Sequence, residues 1–256
     1  VDWLVDDLKI PYDVAATQYP DHSADRQIGV VGRSPAWIKA MSEKLTSMGG
    51  TILTETRATE LMTDNGAVTG AKATDADGNT LEITAKSVVM ATGGFGADTK
   101  MLPDSLKGYL FYGRDSETGD GLKMATAIGA DTTNMDYVKV YPQGVEIVPT
   151  RGLAATASST ATCNGHGAIY VNSKGTRIIN ENATLGELTE ITVAQEDKIM
   201  YLVMDDEAWK TYVAKSIEDK LVGSKEALDE WLKVSNNGKA VLVVNDDVKK
   251  AAADIG

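Results

Sequence analysis

The chain has 256 residues, with 37 acidic against 25 basic side chains and a net charge of −12. With 43% hydrophobic and 24% charged residues it has the make-up of a globular protein, and its acidity excludes a nucleic-acid or anionic-membrane binder, which needs a basic face. A single cysteine, Cys163, and only two histidines, His22 and His166, rule out an intrachain disulfide and any thiolate or multi-histidine cluster, so no metal is expected.

Residues 1–8 read as an amphipathic helix, with Leu4 and Leu8 four apart. Residues 11–33 are loop-like. Ser34-Pro35 then predicts a helix start, serine as N-cap and proline in the first turn. Trp37, Ile38, Met41, Leu45 and Met48 are its expected buried face, and Gly49-Gly50 its stop. Strands are expected over 51–56, 60–63, 68–74, 80–84 and 87–92, with turns at Asp64-Asn65-Gly66 and at residues 75–79. This is a meander, and its last member, Val88-Val89-Met90-Ala91, is apolar on both faces, the mark of a central strand covered on two sides.

Ala91-Thr92-Gly93-Gly94-Phe95-Gly96 is a glycine-rich turn at the end of that strand, and Thr118-Gly119-Asp120-Gly121 leads into a helix over 122–128. Residues 130–141 read as extended and 142–167 as a long irregular stretch rich in Thr, Ala, Ser and Gly. A hairpin over 168–172 and 177–179, a strand over 199–204, helices over 206–214 and 225–233, and an extended 241–244 follow. A closing helix occupies 246–255, with Asn245 as its N-cap. A chain that starts and stops inside structured elements looks like a piece of something longer. The alternation gives an α/β (α+β) fold class with a lobe boundary inside 142–167, and no apolar run approaches the ~20 residues of a membrane span.

Glycine where a buried strand ends lets backbone approach a ligand with no Cβ in the way, and the carboxyl ends of strands are where open α/β sheets bind ligands. Asp120, flanked by glycines, suits acceptance from a ligand hydroxyl; it equally suits plain helix capping, as the glycines suit a plain tight turn. Neither a Walker-type phosphate loop nor a G-x-G-x-x-G after a strand is present. The acidic runs Asp6-Asp7, Asp205-Asp206-Glu207 and Asp246-Asp247 are read as helix-start carboxylates.

These motifs, in this order, resemble the flavoprotein subunits of the fumarate reductase and succinate dehydrogenase type, with the soluble flavocytochrome-like and urocanate-reductase-like branch most similar. The resemblance continues through Gly167-Ala168-Ile169-Tyr170-Val171-Asn172, the run from Gly175 to Glu181 and Met204-Asp205-Asp206, and covers residues 1–210. It implies FAD held by a split Rossmann-like domain carrying the β-meander, with an α+β capping domain closing over flavin and substrate. Residues 1–145 would be part of the FAD-binding domain and 146–256 a truncated capping domain. Ala58 would lie near the adenine; Ala91, Thr92, Gly93 and Gly94 would line the pyrophosphate and ribose side; Asp120 matches the acidic residue of the flavin domain. The family's dinucleotide fingerprint falls before residue 1 and its C-terminal flavin segment after residue 256, so the chain resembles a central fragment, expected to be inactive by itself. The implied partners are a small-molecule substrate and an electron donor, in a soluble protein either cytoplasmic or exported.

Three positions depart from the fumarate-reducing pattern. Tyr141-Pro142 stands where the family has histidine before proline, Thr160-Ala161 where it has threonine–glutamate, and Leu185 where it has the proton-donating arginine. Leucine neither clamps a carboxylate nor delivers a proton, whereas a guanidinium makes bidentate, charge-assisted hydrogen bonds. Fumarate is therefore not the expected substrate. Tyr141 is the candidate catalytic acid, with packing against the irregular loop as the plain alternative, and Thr160 is the candidate substrate contact. His166 and Cys163 read as loop and inert residues, and Arg151 and Arg177 as surface ion-pair residues before anion ligands. Two functions follow from this reading: an FAD-dependent reductase of an activated C=C bond, or a non-catalytic binding module that kept the flavoprotein scaffold.

Overall fold

The computed structural model describes residues 2–12, 23–26, 28–142, 144–148, 152, 154, 167–218, 222–236 and 238–255. Thr160, Cys163 and His166 lie outside the described residues, as does Arg151. The chain divides into two compact units, Val1–Val88 and Val89–Gly256. Helix and strand are mixed in it, as the sequence indicates, and all the sheets among the described residues are small and antiparallel.

In the first unit a single wide π-type turn, Trp3–Asp7, replaces the expected amphipathic helix. Helix α1 spans Arg33–Ser47, and its N-cap is Gly32 in the left-handed conformation rather than Ser34. Ser34 and Pro35 thus sit inside the first turn, where a missing N–H costs nothing. Gly49, at φ +84°, ends the helix as expected. The expected buried face is open instead: Trp37, Ile38, Met41 and Leu45 are exposed and Met48 is 74% exposed. Apolar periodicity marks which face seeks cover; cover itself must come from a second layer, and none lies over this face among the described residues.

The meander forms as β1 (Arg57–Asp64), β2 (Ala67–Thr74) and β3 (Thr80–Thr84), in the order β1-β2-β3. Asn65 and Gly66 both take positive φ, which the two-residue hairpin turn requires. Asp75 Oδ1 accepts the N–H groups of Asp77 and Asn79 at 3.0 and 2.8 Å, closing the second turn. Leu61, Gly70 and Ala73 are the buried residues of the three strands. Residues 51–56 and 87–92 are not strands, and Val89 is 89% exposed. A central strand exists only through hydrogen-bonded neighbours on both sides, and the described residues supply none to Val88-Val89-Met90-Ala91.

The second unit carries α2 (Asp120–Ala127), β4 (Ile169–Val171), α3 (Leu185–Val193), β5 (Tyr201–Val203), α4 (Asp206–Glu218) and α5 (Lys225–Asp229). A 3₁₀ turn (Glu230–Lys233), the short pair β6 (Ser235–Asn236) and β7 (Lys239–Ala240), and α6 (Val248–Ile255) complete it. The expected hairpin after β4 is reduced to one bridge, Val171 with Arg177, and β4 pairs mainly with β5. Asp205 Oδ1 caps α4 by accepting the Ala208 N–H at 2.8 Å. Asp247, not Asn245, bonds the first N–H groups of α6, those of Lys249 and Lys250. The carboxylates at these helix starts are therefore caps.

Helix α3 has no counterpart among the expected elements, though its start is written in Thr184-Leu185-Gly186-Glu187. Thr184 Oγ1 accepts the Glu187 N–H at 3.3 Å while Glu187 accepts the Thr184 N–H at 2.9 Å, a capping box. The Thr184 N–H, followed by the Thr184 hydroxyl, donates to the Glu187 carboxyl and holds it below its ordinary range. Thr184→Ala is expected to lower the melting temperature by about 2–4 °C, read by circular dichroism.

Two apolar clusters make the core of this unit. One joins Ala168, Tyr170 and Leu188, with Leu185 and Ile178 packed against it; the other joins Tyr212, Leu228 and Trp231, with Val145 and Trp209 against it. Met204 packs on both. Beneath the first lies Glu181, whose side chain is 7% exposed. Glu181 Oε1 accepts Arg177 Nε at 3.0 Å and the Tyr170 N–H at 3.1 Å, and Arg177 Nη2 bonds Oε2. The guanidinium, followed by backbone donors, holds the Glu181 carboxyl below its ordinary value of 4.5. Its folded-state pKa being lowered, the pair stabilises fully above the unfolded value and loses that contribution as pH falls through the folded one. The urea midpoint of the wild type is accordingly expected to fall more steeply below pH 4.5 than that of Glu181→Gln, the two curves converging in acid.

Candidate functional site: two glycine bends joined at the start of α2

The glycine bend at 93–96 and the bend at 117–121 come together. Gly119 N–H donates to the Gly94 carbonyl at 3.1 Å, and Ala97 N–H donates to the Glu117 carbonyl at 3.0 Å. Gly93 and Gly119 have φ of +75° and +76°, values that glycine adopts without a Cβ penalty. Gly119 is the N-cap of α2 and no side chain caps that end. Asp120 is therefore the first residue of the helix rather than its cap, and its Oδ1 accepts the Thr118 hydroxyl at 2.9 Å. A carboxylate in the first turn is favoured there by the helix dipole.

The surfaces of the two bends differ. Ala91, Thr92, Gly93 and Gly94 are exposed, whereas Gly119 and Gly121 are buried. A Cβ on Gly94 would meet only the Glu117 carboxylate, at 3.7 Å. A Cβ on Gly93 would lie 3.4 Å from Glu117 Cγ, so the Glu117 side chain is the one near neighbour of this exposed backbone, at ordinary contact distance. A Cβ on Gly121 would run into the Thr92 side chain, and one on Gly119 would lie 2.8 Å from Phe95 Cβ. The first pair of glycines leaves room outward; the second lets the bends close on each other.

Lys123, one turn along α2, ties the second bend to the segment that leaves the first. Its ammonium donates to Asp98 Oδ2 at 2.7 Å and to the Thr118 carbonyl at 2.8 Å. Asp98 also accepts the Lys100 N–H at 3.1 Å, and its carboxyl is held below the ordinary range, first by Lys123 and then by that N–H. Neither Lys123 nor Glu117 was expected at the site. The signal for Lys123 was present: helical side chains tilt toward the N-terminus, so a lysine three residues after Asp120 reaches back over the preceding bend.

The other candidates are spread more widely. Ala58 lies on β1, in the first unit. Tyr141 is half-buried in the second, its ring stacked on Tyr112 with centroids 5.2 Å apart and 15° between planes, and Lys139 Nζ lies 5.7 Å from its centroid. Leu185 packs against the apolar cluster of Ala168, Tyr170 and Leu188. Among the described residues, no group of three His, Cys, Asp or Glu side chains could hold a metal, and no helix is long and apolar enough to cross a membrane.

The family model described as "FAD binding domain" matches residues 6–241. The chain belongs to that family. FAD is accordingly its cofactor, and the exposed, Cβ-free backbone at Gly93-Gly94 fits the close approach of a nucleotide. The chain is 28% identical over 252 residues, 90% of its length and 24% of the relative's, to an NADH:acrylate oxidoreductase of Vibrio harveyi. It is 27% identical over 215 residues, 81% of its length and 35% of the relative's, to the urocanate reductase of Eggerthella lenta. The open conformation of a flavocytochrome c3 fumarate reductase superposes with a TM-score of 0.67 at 26% identity, over 86% of this chain and 39% of that one. The resemblance to fumarate reductase flavoproteins and the mixed α/β fold class are borne out. This chain spans about a quarter to two fifths of these relatives.

Proposed function

We propose that this chain is the central part of an FAD-dependent oxidoreductase that saturates an activated C=C bond of a small molecule other than fumarate. The joining of the 93–96 and 117–121 bends by two backbone hydrogen bonds supports the reading best, because it places open glycine backbone beside the first turn of α2. FAD supplies the hydride when bound. Ala91, Thr92, Gly93 and Gly94 line its pyrophosphate and ribose side, Ala58 its adenine, and Asp120 contributes a first-turn acceptor. Residues 1–145 then belong to the FAD-binding domain and 146–256 to the capping domain.

Tyr141 is the proton donor on the substrate side in this reading. Its stacking on Tyr112 fixes the ring plane, which a proton donor needs. Thr160 is the substrate contact. Leu185, drawn into an apolar cluster, offers no cation for a second carboxylate, in keeping with a substrate other than fumarate.

Full-length protein carrying this chain is expected to purify with flavin absorbance and to oxidise reduced viologen with an enoate acceptor; this chain alone is expected to do neither. A colourless full-length protein overturns the reading. Flavin without turnover of any enoate points to the second reading, a binding module that kept the scaffold, which the packing of half-buried Leu185 against Ala168, Tyr170 and Leu188 favours.

A further inference from the structure

We propose that Lys123 and Asp98 form a staple that sets the spacing of the two glycine bends and so governs FAD affinity, Lys123 being a positioning residue rather than a phosphate ligand. The inference rests on the reading that FAD lies against these bends. One peptide group carries it. The Thr118–Gly119 peptide is held at both ends: its carbonyl accepts from Lys123 Nζ at 2.8 Å, and its N–H donates to the Gly94 carbonyl at 3.1 Å. The same ammonium donates to Asp98 Oδ2 at 2.7 Å, on the segment that leaves the first bend. Asp98 is in turn fixed to its own loop by the Lys100 N–H at 3.1 Å. A single cation thus bonds the second bend and the segment that leaves the first, and the helix that carries it starts from the second.

A solvated ion pair adds little to global stability, and Lys123 is half exposed. Its contribution is instead to geometry. No side chain caps α2, and besides the staple the bends are joined by two backbone hydrogen bonds and by the close packing of Gly119 and Gly121 on Phe95 and Thr92, so removing the staple loosens the spacing of the bends without parting them. Affinity for a ligand that needs both bends in one arrangement falls with the fraction of molecules in that arrangement.

The sign of the Asp98 effect separates a staple from an electrostatic attraction. If Lys123 simply drew the dinucleotide's negative charge, neutralising nearby Asp98 would tighten FAD. If the pair is a staple, neutralising Asp98 loosens FAD, because one arm of the clamp is lost. Full-length protein stripped of flavin is titrated with FAD by flavin fluorescence, alongside circular dichroism melts of the flavin-free forms. Lys123→Gln is expected to raise the dissociation constant at least about tenfold and Asp98→Asn about threefold or more, whereas Lys123→Arg, which keeps a multi-donor cation, stays within about threefold. Tighter or unchanged binding in Asp98→Asn overturns the proposal, as does Lys123→Arg behaving like Lys123→Gln. If Lys123→Gln fails to fold, Asp98→Asn and Lys123→Arg decide the matter. A wild-type protein that binds no FAD overturns the underlying functional reading instead.

Discussion

Leu228→Ala is expected to destabilise the protein by about 2–5 kcal/mol, read as a shift of the urea midpoint with an unchanged slope. Leu228 on α5 is fully enclosed, at 0% exposure, between Tyr212 of α4 and Trp231 of the following 3₁₀ turn. Trp209 stacks on Tyr212 with centroids 5.7 Å apart, so the cavity left by truncation is walled by rings that are held flat. Rigid walls collapse poorly, and poor collapse puts the cost toward the upper end of the range. Tyr212 reports the same dryness: burial pushes its hydroxyl above the ordinary tyrosine value. Leu232, four residues on and 44% exposed, is the control, and its alanine variant is expected to cost less than about 1 kcal/mol. Similar costs at the two positions would mean that this cluster does not hold the unit together.

What was legible in the sequence was local. The Asn65-Gly66 turn, the β3 strand and the Gly49 helix stop follow from backbone chemistry that each residue carries with it, and all are present. Helix α3 was legible too, through its capping box, but its three-residue spacing was hidden behind Gly186, a poor helix former at the second position. What could not be read correctly was anything that depends on a partner layer. The apolar runs at 37–48 and 88–91 are written for burial, yet Ile38 and Val89 stand 62% and 89% exposed, because pattern specifies a face and not what lies over it. The site divides in the same way. The glycines at 93, 94, 119 and 121 mark where backbone comes close, and their bends do meet. The reach of Lys123 back to Thr118, five residues away, follows from helix geometry, but its contact with Asp98 spans 25 residues and has no local signal.

Gly94→Ala should weaken FAD binding by tenfold or more while leaving the flavin-free melting temperature within about 1 °C of wild type. In the free protein the added methyl meets nothing nearer than the Glu117 carboxylate at 3.7 Å, an ordinary contact, and Gly94 has no positive φ to forfeit. The methyl therefore costs nothing until a ligand seeks the space it fills. Gly121→Val makes the opposite demand. There the new Cβ would lie 3.0 Å from Thr92 Cβ and 3.1 Å from Met90 Cε, with the Thr92 hydroxyl closer still. Met90 can swing aside, but Thr92 Cβ is fixed to its backbone, so the bend itself must shift. Overpacking of this kind costs about 1–3 kcal/mol, so Gly121→Val is expected to lose both stability and flavin. The two variants thus separate contact from scaffold, by flavin fluorescence titration and thermal melts on the full-length protein. If Gly94→Ala binds FAD like wild type, the nucleotide does not lie against this bend, however sound the fold that Gly121 protects.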